Sequence, residues 1–406
     1  MSPLKVFREK IAWRKIVSPI FLVFNSFVWF TLTHAIFTTI VNELNLLDAE
    51  KLSLFVIYFV SIAVSGVLGS KFFPRKQIER LSLWLFMGVI STLFLTTASI
   101  NGFLANTLLA LFLGFSIGVG LPSCLSYFAN LTTIEDRGFV GGITWSSVGF
   151  AVLIFAFLIN MLNLLESIYV LTAWRLFGSL SFLFLTKRHE EHGVQKTIRY
   201  SEIVHKREVL LYLFPWVMFS IINFSEAPLL ERVFGAEFFT FVQLAGYALI
   251  GIFAIMGGFI ADFVGRKRVV IAGFVMLGIE YAALSVFSES IIALYLFLIL
   301  DGVTWGLFFS VFFMAIWGDL GENYEKEKFY TLGGLPYLLA SFLSILIKPY
   351  VSVISPTAAF SFASFFLFLA VIPLMYAPET LPEKHVRERE LRSYIEKAKK
   401  IKEKFT

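Results

Sequence analysis

Cysteine, histidine and charge are all scarce in this chain. Cys124 is its only cysteine, five histidines are scattered along it, and charged residues make up 16% of its 406 positions. One thiol inside an apolar segment leaves neither a disulfide framework nor a cysteine-built metal site. No H-E-x-x-H pair and no Asp/His cluster occurs, so a membrane-embedded enzyme has no constellation to work with. No G-x-x-x-x-G-K-[ST] loop occurs either, and no hydrophilic stretch is long enough to bind a nucleotide, which argues against an ATP-driven pump. The first apolar run is too long for the core of a cleavable signal and lacks a small-residue cleavage site, so no removable leader is expected. No cofactor and no metal is expected.

Apolar mass is abundant. Hydrophobic residues make up 58% of the chain, 48 of them Phe, and the mean hydropathy is +0.79. A soluble domain carries roughly 25% charged residues, so this chain needs lipid as its solvent. A spanning helix takes roughly 20 mainly apolar residues. Such runs lie near 16–41, 52–70, 81–100, 104–128, 139–162, 166–186, 210–230, 237–261, 269–288, 290–317, 330–354 and 356–377. The expected fold class is therefore an all-α membrane protein of twelve transmembrane helices. A hydrophilic stretch from Lys187 to Val209 splits it into six and six. The expected organisation is a first bundle over 1–186, a central loop over 187–209, a second bundle over 210–377 and a basic tail over 378–406.

The net charge of +5 is not a nucleic-acid signature, because the basic residues sort by loop. Alternate loops and the two ends hold 30 of the 34 Lys and Arg; Lys51, Arg232 and Lys348 lie on the other side, and Arg175 lies within a helix. The positive-inside rule then places both termini and the central loop in the cytoplasm of a multi-pass protein of the cell membrane. Leu4, Phe7 and Ile11, and at the other end Leu391, Tyr394, Ile395, Ala398, Ile401 and Phe405, form apolar stripes among basic residues, as in helices lying on a membrane surface.

The two halves repeat at a spacing of about 190 residues. Thr31-Leu-Thr-His-Ala35 aligns with Asn223-Phe-Ser-Glu-Ala227, and Gly66-Val-Leu-Gly-Ser70 aligns with Gly258-Phe-Ile-Ala-Asp262. Gly114 and Gly118 match Gly302 and Gly306, and Gly141-Gly142 matches Gly333-Gly334. Parallel halves of this kind are a known transporter plan, with the solute site at the midplane between them.

The stretch from Gly257 to Arg268 (GGFIADFVGRKR) resembles the major facilitator superfamily signature G-x-x-x-D-x-x-G-R-[RK]. Glu135-Asp-Arg-Gly138 resembles that family's E-x-R-G segment, and Ala377-Pro-Glu-Thr380 resembles the P-E-T ending of its sugar porters. The first half departs from the pattern, with Ser70 where the family has Asp, and the fifth helix lacks the Gly-Pro pair of drug/proton antiporters. The resemblance implies two six-helix bundles, with the first, fourth, seventh and tenth helices beside a central cavity. It also implies a gating role for the turn at Asp262, Gly265, Arg266 and Lys267.

Ionisable residues are expensive inside a bilayer and so are candidates for function. Here they are His34, Arg175, Glu226, Glu280 and Asp301. Asp301 lies mid-way along the tenth helix, with Thr304, Trp305 and Phe308 on its face. Glu226 continues a stripe of Trp216, Phe219, Ser220 and Asn223, and His34 holds the matching place in the first half. Asp301, Glu226, His34, Asn223, Trp305 and Thr304 are the expected solute and proton-coupling residues, with His34 and Glu226 pairing across the pseudo-axis. Arg175 and Glu280 are expected to satisfy partners within their own halves. Gly114, Gly118, Gly120 and Pro122 are expected to permit close packing, while Ser116, Ser123 and Tyr127 are open to the cavity. The expected activity is secondary active transport of a small organic solute (a sugar, an organic acid or a similar metabolite) by alternating access, coupled to protons as in symport, by a monomer in the lipid bilayer. Efflux antiport and a non-transporting sensor are the alternatives, and nucleic acid is not an expected partner.

Overall fold

The computed structural model describes residues 13–72, 76–98, 102–184 and 196–382. The amphipathic stretches expected at the two ends, and residues 187–195 of the central loop, lie outside these residues. Among the described residues, eleven helices are long and apolar enough to cross a membrane. They are α1 (Trp13–Glu43), α2 (Asp48–Phe72), α3 (Gln77–Thr97), α4 (Phe103–Leu131), α5 (Arg137–Asn160), α7 (Arg207–Phe234), α8 (Ala236–Val264), α9 (Arg266–Phe287), α10 (Ile291–Leu320), α11 (Lys326–Val353) and α12 (Pro356–Tyr376). The twelfth member, α6, is α-helical only over Leu164–Phe177 and continues as a 3₁₀ helix over Gly178–Phe184. The tighter helix rises more per residue, so this segment still reaches about 35 Å, enough for a hydrocarbon core of about 30 Å.

Local chemistry sets the ends. Asn163 and Glu166 form a reciprocal capping box at the start of α6, which satisfies two backbone donors that lipid cannot. Within α4 the helix pauses at Val119–Gly120 and restarts at Leu121 with Pro122 in its first turn, where a missing N–H costs nothing. Along α2, Leu52, Val56, Val60, Val64 and Leu68 are exposed at a spacing of four, a stripe that faces lipid.

Among the first six helices α2 packs on α4 and α3 on α6; among the last six α9 packs on α12 and α7 on α11. The halves meet along two seams, α5 with α8 and α2 with α11. Small residues let the first seam close: a side chain at Gly142 would enter the backbone of Ala254, and one at Gly149 the carbonyl of Tyr247. The repeated glycine pairs serve the same purpose twice, Gly141 against Met314 and Gly333 against Trp317. Gly114 and Gly118 bring α4 against Tyr58 and Ile62 of α2, and Gly120 lies under the Trp84 ring.

Candidate functional site

At mid-depth the halves meet in aromatic rings. Trp145 of α5 stacks flat on Phe309 of α10 with centroids 3.7 Å apart, and Phe27 of α1 meets Phe313 edge-on at 5.3 Å. Phe309 and Phe313 open a π-helical stretch, Phe309–Ile316, whose eight residues are all buried. Wide turns of this kind recur at functional positions inside long helices. Tyr337 of α11 packs against Phe309 and Phe313, and Trp216 of α7 donates from Nε1 to the Gly333 carbonyl at 2.5 Å.

Beside this layer, toward the side away from the central linker, the expected acidic residues come together. Asp301 and Trp305 are half-buried, as are Asn223 and Glu226. Asn223 and Trp305 face the Asp301 carboxylate. Asp301 Oδ1 and Glu226 Oε2 are sequestered without a hydrogen-bond partner. Thr304 and Phe308 turn into the second half, both fully buried, with Phe308 against Phe219 and Phe274. Glu280 is a departure from expectation. Its carboxyl is buried with both oxygens unpartnered, and it lies in the electrostatic field of Asp301 instead of satisfying a separate partner.

His34 does not pair with Glu226 among the described residues. Its ring lies between Phe30 and Tyr58, with centroids at 6.1 and 5.7 Å. Arg175 turns into its own half as expected. Its guanidinium is sandwiched between Trp29 and Trp84 at 4.2 and 4.3 Å, and it donates to Ser26 Oγ at 2.8 Å and Asn25 Oδ1 at 3.2 Å. Ser116 bonds to Ser91 at 2.7 Å and Tyr127 to Ser18 at 3.2 Å, both buried within the first half. Ser123 is buried as well.

On the linker side the signature turn forms a second site. The Asp262 carboxylate accepts from the backbone N–H groups of Gly138 at 3.1 Å and Phe139 at 2.7 Å, at the start of α5 in the opposite half. A carboxylate at a helix N-terminus meets both free donors and a favourable dipole. Asp262 also pairs with Arg266, whose Nη2 donates to the Ile134 carbonyl at 2.7 Å and whose Nε donates to Asp319 at 3.3 Å. Asp319 in turn pairs with Arg137 of α5, which reaches Glu322 at 3.0 Å. Two buried arginines from opposite halves therefore share one carboxylate. Burial pushes the Glu322 carboxyl up, but Arg137 and Lys326 outweigh that and hold it below its ordinary value.

The P-E-T segment closes the turn from outside. Glu379 accepts from the backbone N–H of Arg266 at 2.8 Å and of Lys267 at 3.1 Å, and Lys267 Nζ donates to the Met375 carbonyl at 2.7 Å. Gly265 takes φ +104°, and a Cβ there would strike the Glu379 carboxylate, so two independent reasons require glycine.

Sequence reasoning overlooked Asp319, Trp145, Phe309 and Tyr337. Asp319 stands near a helix end where an acid draws no notice; its distance from the E-x-R-G and signature segments hides that it joins them. The aromatics are lost among 48 Phe.

No protein-family model matches the chain, and no curated protein aligns with it in sequence. Solved structures do match in shape. The human organic anion transporter MFSD10 (TETRAN) superposes with a TM-score of 0.65 at 16% identity, over 90% of this chain and 100% of its own. The E. coli fucose:proton symporter FucP gives 0.66 at 13% identity, over 91% and 99%. FucP in its outward conformation gives 0.65 at 12%, over the same shares. At these identities the likeness is one of fold: this chain has the twelve-helix architecture of the major facilitator superfamily transporters.

Proposed function

We propose that this protein is a secondary transporter that moves a small organic solute across the cell membrane by alternating access, coupled to protons through Asp301 and Glu226. The observation that carries this reading is the contrast between the two sides. Ion pairs tie the halves together on the linker side, while toward the other side the half-buried Asp301 and Glu226 carboxyls form no ion pair among the described residues. That is the arrangement of a transporter closed inward and loaded from outside, with the linker side in the cytoplasm as the distribution of basic residues requires. The working units are the bundles 1–186 and 210–377, joined by the loop 187–209 and followed by the tail 378–406, in a single monomer.

A transporter without a nucleotide-binding domain draws on a gradient. Half-buried carboxyls can take a proton on one side and release it on the other, and His34, in the matching place of the first half, is a further proton acceptor. The similarity to FucP, a fucose:proton symporter, favours the same direction of coupling. The turn at Asp262, Gly265, Arg266 and Lys267 acts as the gate and does not touch solute.

The test is flux in proteoliposomes under an imposed pH gradient. Wild type should respond to the gradient, Glu226→Gln should lose the response, and Asp301→Asn should lose transport while keeping wild-type thermal stability. A wild type indifferent to the gradient would remove proton coupling and leave facilitated diffusion.

A further inference from the structure

The second half is acidic around α10 and offers no basic group there. Glu226 on α7, Glu280 on α9 and Asp301 on α10 all lie in the field of the Tyr281 hydroxyl, which itself has no hydrogen-bond partner. No Lys, Arg or His forms an ion pair with any of the three among the described residues. Other basic groups outside the linker side have partners of their own. Arg232 donates to the Val351 and Ile354 carbonyls, Lys348 faces Glu231, and Arg175 sits between two tryptophans of the first half.

The open flank of this acidic set is aromatic. Trp305 follows Asp301 by one helical turn, and its ring meets Phe219 at 4.7 Å, Tyr337 at 6.0 Å and Phe224 at 6.2 Å. Asp301, Trp305, Phe224 and Tyr337 are all half-buried, so this flank is reachable, whereas Glu280 is sealed behind it. Aromatic faces carry negative charge density and attract cations, most strongly on Trp. The Asp301 carboxylate, half-buried and without a cationic partner among the described residues, acts in the same sense. Both features oppose an organic anion. A bare metal ion is a poor occupant, because rings supply no ligand atoms and no three acidic groups are placed to hold one among the described residues.

Resting on the transport reading above, with Glu226 holding the proton while solute is bound, we propose that the solute is a small organic cation, its ammonium group seated against Trp305 and the adjoining rings with its charge on Asp301. Glu280 lies buried behind Asp301 and makes no contact with the solute. Solutes of this class bear an amine or quaternary nitrogen on a compact apolar body.

Calorimetric titration of the purified full-length protein in lipid nanodiscs tests this with three probes of one ring size: benzyltrimethylammonium, benzyl alcohol and benzoate. Benzyltrimethylammonium should bind at least about tenfold more tightly than either of the others. Asp301→Asn and Trp305→Leu should each weaken it about tenfold, while Trp305→Phe, which keeps a ring and guards against a folding defect, retains most of the affinity. Benzoate or benzyl alcohol binding as tightly as the ammonium would overturn the proposal. So would ammonium binding untouched by Asp301→Asn, or no binding of any probe at millimolar concentration. Failures remain separable: gradient-driven flux without ammonium selectivity sinks this inference alone, and ammonium binding without flux sinks the transport reading alone.

Discussion

The two seams that hold the halves together on the linker side occupy equivalent places in the duplicated frame, yet they are built from different chemistry. At the α5/α8 seam, Asp262 caps the opposite helix and the chain Asp262–Arg266–Asp319–Arg137 runs across the junction. At the α2/α11 seam, Ser70 stands where Asp262 stands in the other half, and its hydroxyl bonds to Tyr200 of the linker at 2.6 Å. There the linker does part of the work: Lys328 Nζ donates to the Ile198 carbonyl at 2.7 Å, and Thr197 donates to Glu325 at 2.9 Å. Burial raises the Tyr200 phenol, with its bonds to Ser70 and Thr331 opposing, so it stays an O–H donor. A buried ion-pair seam suits a latch, because ions that separate on opening are rehydrated, and that offsets the lost attraction. Hydrogen bonds to a covalent linker suit a hinge that stays put.

The sharpest way to break this contrast is Arg137→Ala. It leaves Asp319 short of one cation and exposes an uncompensated buried charge, which costs about 3–5 kcal/mol. Thermal unfolding in detergent should show the largest loss of any single change on the linker side. Ser70→Ala on the other seam removes one neutral hydrogen bond, about 1 kcal/mol, and transport should barely change. Were Ser70→Ala as damaging as Arg137→Ala, the seams would be equivalent after all.

The smallest effect concerns Glu322. Its folded carboxyl is held below the unfolded value of 4.5, so its contribution is present above that value and fades as pH falls through the lower folded one. The side chain is 38% exposed, so after solvent screening its share stays under about 1 kcal/mol. The stability difference between wild type and Glu322→Gln should therefore be visible at pH 6 and shrink steadily as the pH falls below 4.5. A difference that grows on acidification would contradict the pairing with Arg137.

Helices were legible because lipid imposes one rule, a run of apolar residues with every backbone group bonded internally. The sixth was the hardest, since Gly178–Phe184 crosses as a 3₁₀ segment that no apolar count distinguishes from α. The signature turn was legible because glycine at 265 and a following Arg are demanded locally. What could not be read were contacts between distant segments. Ser116 looks cavity-facing by helical phase but points at Ser91, because the bend of α4 near Gly120 is not periodic. The alignment of His34 with Glu226 is a relation of sequence, and the ring instead packs among Phe30, Tyr58 and Phe59. Glu280 was placed in its own environment by its helix number, when burial sends it toward Asp301.

The claim that the charged seam is the latch is tested most directly by the distance across it. In a Cys124→Ser background, spin labels at Thr133 and Arg268, exposed on opposite sides of the α5/α8 junction, report that distance by pulsed electron–electron resonance in nanodiscs. Wild type should give one short, narrow distribution, and Asp262→Ala should move a large share of it to longer distances. An Asp262→Ala distribution identical to wild type, with transport turnover unchanged, would contradict the account.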